Sequence, residues 1–185
     1  QTYMSGTDAF MLLLISFDSW ADNINQLFGD GIFETTWGQS FEELTERFPS
    51  GQTIPVSKLD LVTAADIVKV LEVKDGRTVL GLERKNGYTI NYNLDGSDKL
   101  KQIRVQFRAF DHTEILHILQ STLGKTNLEN FRGPTAGYAR WVNDEETISV
   151  TLFKQAKRAL LFHTWLVITK ESETEVVIDK EKFGF

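Results

Sequence analysis

The hydrophobic period of this chain alternates between the helical 3.6 and the strand-like 2, and it makes that change twice. Helical spacing comes first. Trp20, Ile24, Leu27 and Phe28 stand at i, i+4, i+7 and i+8, which is one face of a helix over 18–28. Asp18 or Ser19 is its cap and Gly29 its stop. Residues 32–37 read as a short strand. Ser40-Phe41-Glu42-Glu43 is then a capping box, in which the Ser40 hydroxyl accepts from the amide three residues on while Glu43 reaches back to the cap amide. The short helix through Leu44 and Phe48 ends at Pro49, because proline disfavours the helical conformation of its predecessor. Residues 50–63 read as an irregular connection around Pro55.

From Ala65 the period is two. Ile67, Val68, Val70 and Val73 mark a first strand and Thr78 to Lys85 a second. Tyr88, Ile90 and Tyr92 mark a third, and Ile103, Val105 and Phe107 a fourth. Asp75-Gly76, Asn86-Gly87 and Asp95-Gly96 separate them. Asn-Gly is the strongest of these hairpin signals, since both residues tolerate the positive φ of a type I′ turn. Asp111-His112-Thr113-Glu114 then repeats the capping arrangement, and Ile115, Leu116, Ile118, Leu119 and Leu123 follow at helical spacing until Gly124. After a loop over 125–136 the pattern predicts strands at 137–142, 147–153, 159–168 and 174–179.

The fold class is therefore α+β, built from two helix-plus-antiparallel-meander units of about four strands each. Such units can pair edge to edge into one continuous curved sheet with helices on one face. The organisation is an N-terminal apolar segment and helix over 1–31, a first unit over 32–108 and a second over 109–185. Leu160 to Ile168 is apolar on both alternating faces, so this strand is expected where both sides of the sheet are covered, under the 18–28 helix.

Composition narrows the function classes. A net charge of −6 and a pI near 5.1 argue against nucleic-acid binding, and the basic cluster Lys154 to Arg158 reads as a solvated turn. The absence of cysteine excludes disulfides, thiolate metal sites and cysteine nucleophiles. The apolar run from Ala9 to Phe17 is about half the length a helix needs to cross a bilayer, so no membrane-spanning segment is expected. The features of a signal peptide are not seen in the residues from Gln1 onward.

The stretch Gly38-Gln39-Ser40-Phe41-Glu42-Glu43-Leu44-Thr45-Glu46-Arg47-Phe48-Pro49 resembles the opening helix of a small α+β module. That module occurs in the β-lactamase-inhibitory-protein fold and in the small lipoprotein of the outer-membrane barrel-assembly machinery. The resemblance spans roughly 32–108, with a weaker copy over 109–168. It implies a periplasmic or secreted domain that binds other proteins through its sheet face and loops, without catalysis; a cytoplasmic location is the alternative. Asp111 replaces the small cap residue in the second copy, and no cysteine is present for lipid attachment.

The conventional catalytic residues that stand together are Asp111, His112, Glu114 and His117. His112 and His117 diverge by about 140° around a helix, unlike the i, i+4 histidines of a zinc protease. They read as a cap and a surface ion pair. His163, between Leu161 and Trp165 on its strand face, reads as a half-buried core histidine. No glycine loop opens a helix, and Asp95 to Asp98 lacks the ligand spacing of a calcium loop, so no metal and no cofactor are expected. Aromatic and arginine side chains remain as the recognition chemistry. The expected binding residues are Tyr88, Tyr92, Arg104, Tyr138, Arg140 and Trp141; Trp165 is a further aromatic for the sheet face, while Trp37 suits the core. The expected function is a noncatalytic protein-binding domain of the bacterial cell envelope, a monomer or weak dimer. The alternatives are a small hydrophobic ligand or lipid carrier, lined by Phe107, Leu119 and Phe162, and a hydrolase-type enzyme with a Glu/His acid-base pair drawn from Glu114, His117 and His163.

Overall fold

The structure, a computed structural model, describes residues 19–59, 66–126, 128–132, 136–158 and 161–171. The apolar run 9–17 and the expected strand 174–179 lie outside the described residues. Helix α1 is Ser19–Phe28, α2 is Phe41–Arg47 and α3 is His112–Leu123. The capping box forms: the Ser40 hydroxyl accepts from Glu43 N, and Glu43 Oε2 accepts from Ser40 N at 2.7 Å. A second carboxylate joins it. Asp98 accepts from Phe41 N at 3.2 Å and from Lys69 Nζ at 2.6 Å. The positive end of α2 therefore faces two acids, the arrangement its dipole favours. Helix α3 ends at Gly124, whose φ of 82° suits a residue without a side chain. Asp111 does not cap α3 through its side chain as expected. Its carboxylate instead accepts from Arg108 N and Nε, tying the end of a strand to the turn before the helix.

Eight strands form one antiparallel sheet: β1 Gln52–Ile54, β2 Ile67–Lys74, β3 Thr89–Asp95, β4 Leu100–Arg108, β5 Leu128–Arg132, β6 Ala136–Val142, β7 Ile148–Arg158 and β8 Leu161–Lys170. Their order is β1-β2-β3-β4-β8-β7-β6-β5. Two four-stranded meanders thus meet through their last strands, β4 and β8, as the edge-to-edge expectation requires. Strand β8 is central, which is why both of its faces are apolar. Leu166 and Ile168 join the core under the helices, while Val167 is buried on the other side. Helix α1 packs against α3 and β7.

The strands differ from the expected set at four places. Residues 32–37 form turns and no strand. Residues 78–85 are not a ladder strand either. Strand β2 pairs directly with β3, and Asp75 N donates to Tyr88 O at 2.9 Å across the mouth of an excursion over 75–88. Within it, Val79 and Leu82 exchange backbone hydrogen bonds around Leu80 and Gly81, at φ 54° and 75°. The type I′ geometry expected at Asn86-Gly87 therefore sits at Leu80-Gly81. Asn86 and Gly87 make an ordinary turn, closed by Tyr88 N to Lys85 O at 2.9 Å. The fourth strand of this meander is instead β1, three residues between Gly51 and Pro55. In the second meander the extra strand is β5, within the expected loop over 125–136.

The core lies between the helices and one sheet face. Ile24 and Phe28 of α1, Leu44 of α2 and Ile115, Leu119 and Leu123 of α3 pack on Leu71, Val73, Ile90, Tyr92, Ile103, Val105, Phe107, Trp141, Val150 and Leu152. The excursion adds Val79 and Leu82. Arg84, buried, holds it down by donating to Gln106 O at 2.7 Å and Thr89 O at 2.9 Å. Burial pushes its guanidinium pKa down, against the opposing pull of Asp75. No helix among the described residues is long and apolar enough to cross a membrane.

Two outcomes test this account. Leu44→Ala removes a side chain with no exposure and should cost about 2–5 kcal/mol of stability in denaturant unfolding. Ser40→Ala should cost about 1 kcal/mol, lowering Tm by about 2–4 °C. The acid limb carries its own signature. Hydrogen bonds from Ser40 hold the Glu43 carboxyl below its usual pKa, and those from Lys69 and Phe41 do the same for Asp98. Their contribution is complete above the unfolded carboxylate range and is lost as pH falls through the lower folded values. Stability of the wild type should therefore drop on acidification below about pH 4, and an Asp98→Asn variant should show a shallower drop in the same titration.

Candidate functional site

Alternation puts a different chemistry on the sheet face opposite the helices. Asn91 and Asn93 lie between Ile90, Tyr92 and Leu94 on β3, and Gln102, Arg104 and Gln106 between Ile103, Val105 and Phe107 on β4. Register assembles these side chains into rows across the sheet. One row runs Asn93, Gln102, Thr169 and Ser149. The next runs Glu72, Asn91, Arg104, Val167, Thr151 and Arg140. In a third row, Gln106, Trp165, Phe153 and Tyr138 are neighbours.

This face is far from bare. Asn93 is 0 %, Arg104 1 % and Gln102 2 % exposed. Buried amides are costly unless they find partners, and here they find each other. Asn93 Nδ2 donates to Gln102 Oε1 at 2.8 Å, and Gln102 Nε2 donates to Thr169 Oγ1 at 3.1 Å. In the neighbouring rows Gln106 Oε1 accepts from Thr89 N at 3.1 Å and from the Thr89 hydroxyl at 3.2 Å. That fixes the amide orientation and turns Gln106 Nε2 toward His163 Nδ1 at 3.1 Å.

A cavity of about 170 Å³ opens on this face, under the chain that crosses from β1 into the short 3-10 turn Val56–Lys58. Ile54 and Leu59 form its apolar wall, Lys58 stands beside them, and Trp165 closes one side. Its remaining lining is Glu72, Thr89, Asn91, Arg104 and Gln106. The Arg104 guanidinium lies 4.6 Å from the Trp165 ring centroid and 5.6 Å from that of Phe153. The Trp165 ring on β8 and the Phe153 ring on β7 thus flank this cation. Lys58, Arg104 and Glu72 give the lining both signs of charge.

Five of the six expected binding residues lie on the sheet and divide between its two sides. Arg104, Tyr138 and Arg140 share the polar face. Arg104 and Arg140 lie on one row three strands apart, roughly 14 Å. Arg140 pairs with Glu171 at 3.2 Å. Tyr92 and Trp141 are corrected: both are core residues on the helix side. Tyr92 stacks on Phe48 with centroids 4.7 Å apart, and burial drives its phenol pKa far up. Trp141 Nε1 donates to Gly124 O at 3.0 Å. Tyr88 lies outside the strands, half-buried where the excursion returns, its phenol raised chiefly by burial. Trp37 packs against the core and donates to Phe28 O at 2.7 Å.

Of the acid-base candidates, Glu114 and His117 are exposed on α3, while His163 is on the opposite sheet face. His112 is half-buried, and burial, then Lys154, lowers its pKa. Of the expected carrier residues, Phe107 and Leu119 are sealed in the core; the side chain of Phe162 is outside the described part. Among the described residues no group of three or more His, Asp or Glu is placed to hold a metal ion. The cavity side chains Glu72, Thr89, Asn91 and Gln106 escape a reading that follows apolar residues alone. Their signal was the polar half of the same alternation. No protein-family model, curated protein or solved structure matches this chain.

The ladder makes a measurable demand. Gln102→Leu strands the buried Asn93 amide and the Thr169 hydroxyl, so it should cost about 1–3 kcal/mol in urea unfolding despite its added apolarity.

Proposed function

We propose that this chain is a noncatalytic binding domain of the bacterial cell envelope that docks another protein on the polar face of its sheet. The observation that carries this reading is the gathering of Tyr138, Arg140 and Trp165 on β6 and β8, on the side away from the helices. All three are half-buried, so each keeps surface to offer. Tyrosine, tryptophan and arginine are the residue types that dominate binding energy when a partner covers them. The surrounding Thr151, Ser149 and Val167 are short and buried, which leaves the longer side chains prominent. The separation of Glu114 and His117 from His163 by the sheet favours binding over acid-base chemistry. The envelope location rests on the likeness of residues 38–49 to the opening helix of that module.

Affinity capture from envelope extract tests the reading. The double variant Tyr138→Ala with Arg140→Ala should lose at least about tenfold of the partner that the wild type recovers, as expected for removal of even one energetic centre. Glu46→Ala, exposed on α2 on the far side, should recover the wild-type amount. Equal recovery by all three proteins overturns this docking face.

A further inference from the structure

We propose that Asn86 is a site of spontaneous deamidation, and that the isoaspartyl link it forms loosens the excursion over 75–88. Asn86-Gly87 is the only Asn-Gly pair in the sequence. In this chemistry the Gly87 main-chain nitrogen gives up its proton to solvent base and attacks Cγ of the Asn86 side chain. The N–Cγ bond of a five-membered succinimide forms and the Cγ–Nδ2 bond breaks, so that the side-chain nitrogen, taking a proton from water, leaves as ammonia. A second water then opens the ring. Opening at Cγ gives aspartate. Opening at the main-chain carbonyl gives isoaspartate, whose backbone runs on through Cβ and Cγ.

Access, freedom and an unhindered nucleophile single out this asparagine. Asn86 and Gly87 are both exposed. The turn closes around them, from Tyr88 N to Lys85 O at 2.9 Å, and among the described residues no hydrogen bond holds the Asn86 side chain or the Gly87 N–H. Both reacting groups can therefore approach each other without breaking a contact, the condition for an efficient intramolecular attack. Glycine adds no side chain to block that approach. Other asparagines are held. Asn143 is buried; its Nδ2 donates to Asn25 Oδ1 at 2.8 Å and to Thr147 Oγ1 at 2.9 Å, and its Oδ1 accepts from Ile148 N at 2.9 Å. Asn91 and Asn93 are buried in β3, where the ladder fixes their backbone.

The position of the change gives it a consequence. Asn86 is pressed against Gly76 in the opposite arm of the excursion: a Cβ on Gly76 would stand 2.9 Å from Asn86 Cα and 3.0 Å from Asn86 N. The two arms have no slack here. An isoaspartyl link adds one main-chain atom inside the turn that Tyr88 N and Lys85 O close, next to the bond from Asp75 N to Tyr88 O that shuts the mouth. Val79 and Leu82 lie beyond that mouth and belong to the core. Loosening it frees the segment that carries them. The excursion packs on the helix side of the sheet, away from Tyr138 and Arg140.

The test is incubation of the folded full chain at mildly alkaline pH, followed by trypsin and mass spectrometry. Tryptic cleavage after Lys85 and Lys99 leaves peptide 86–99, which also contains Asn91 and Asn93. Fragmentation should place the amide-to-acid mass change on residue 86, at least about tenfold faster than on Asn91, Asn93 or Asn143. Gly87→Ala is the deciding variant. The φ of Gly87 is not in the left-handed region and a Cβ there meets nothing within 4 Å, so the variant should fold and melt as the wild type. Its methyl group hinders the attacking nitrogen, and conversion at residue 86 should slow at least about tenfold. Conversion at the wild-type rate in Gly87→Ala, or no preference for residue 86 in the wild type, overturns the site. The isoaspartyl form, separated by ion exchange, should then show hydrogen exchange at the amides of Asp75, Val79 and Leu82 at least about tenfold faster than the unmodified chain. Asn86→Asp, which gains the charge without the extra main-chain atom, should exchange as the wild type does. Unchanged exchange in the isoaspartyl form, or equal acceleration in Asn86→Asp, overturns the loosening by chain extension.

Discussion

The pairing of β4 with β8 is the contact on which the rest of this molecule depends. It runs in unbroken register from Gln102↔Thr169 to Arg108↔His163 and joins the last strand of each meander. Without it each meander would be a small sheet with two exposed edges, and sheets of that size gain stability mainly by covering a face and hiding their edges. With it, β4 and β8 become the two central strands of the sheet. Three helices and the excursion over 75–88 then share one continuous core.

The same pairing builds the polar face. Arg104 and Val105 are chain neighbours, yet pleating sends one into the cavity and the other under the helices. Because β4 and β8 are adjacent, Gln102 reaches Thr169, Gln106 reaches His163, and Arg104 comes under Trp165. None of these pairs is close in sequence. A sheet face of amides and a guanidinium is an expensive surface to bury unless every group is answered. Asn93 Oδ1 has no protein partner, as has Tyr92 Oη on the other face.

Much of the architecture was legible in the residues. Spacing located the three helices among the described residues, and the Ser40 box and Gly124 stop behave as their chemistry dictates. Two meanders of four strands, joined edge to edge, were also legible. Individual strands were less so. Gln52–Ile54 is too short to show a period, and Leu128–Arg132 mixes charge with apolar residues; both are edge strands held by one neighbour. Thr78 to Lys85 shows enough alternation to resemble a strand, but β2 and β3 pair across its base, so Val79 and Leu82 fold onto the core instead. On the polar face, Arg104, Tyr138 and Arg140 stand out in the sequence as aromatic and cationic residues on alternating strands. Tyr92 and Trp141 stood out equally, and only the direction of the pleat separates them from the others.

By itself, then, the order of residues determined the local matters: where helices start and stop, which segments alternate, and that no thiol chemistry is available. These follow from interactions among residues a few positions apart. Which strands become neighbours, which half of each alternation faces the helices, and that Glu72, Arg104 and Trp165 converge on one cavity were decided only in three dimensions. Those outcomes depend on the register between strands up to about seventy residues apart, a long-range choice made by the total burial of both meanders rather than by any short segment.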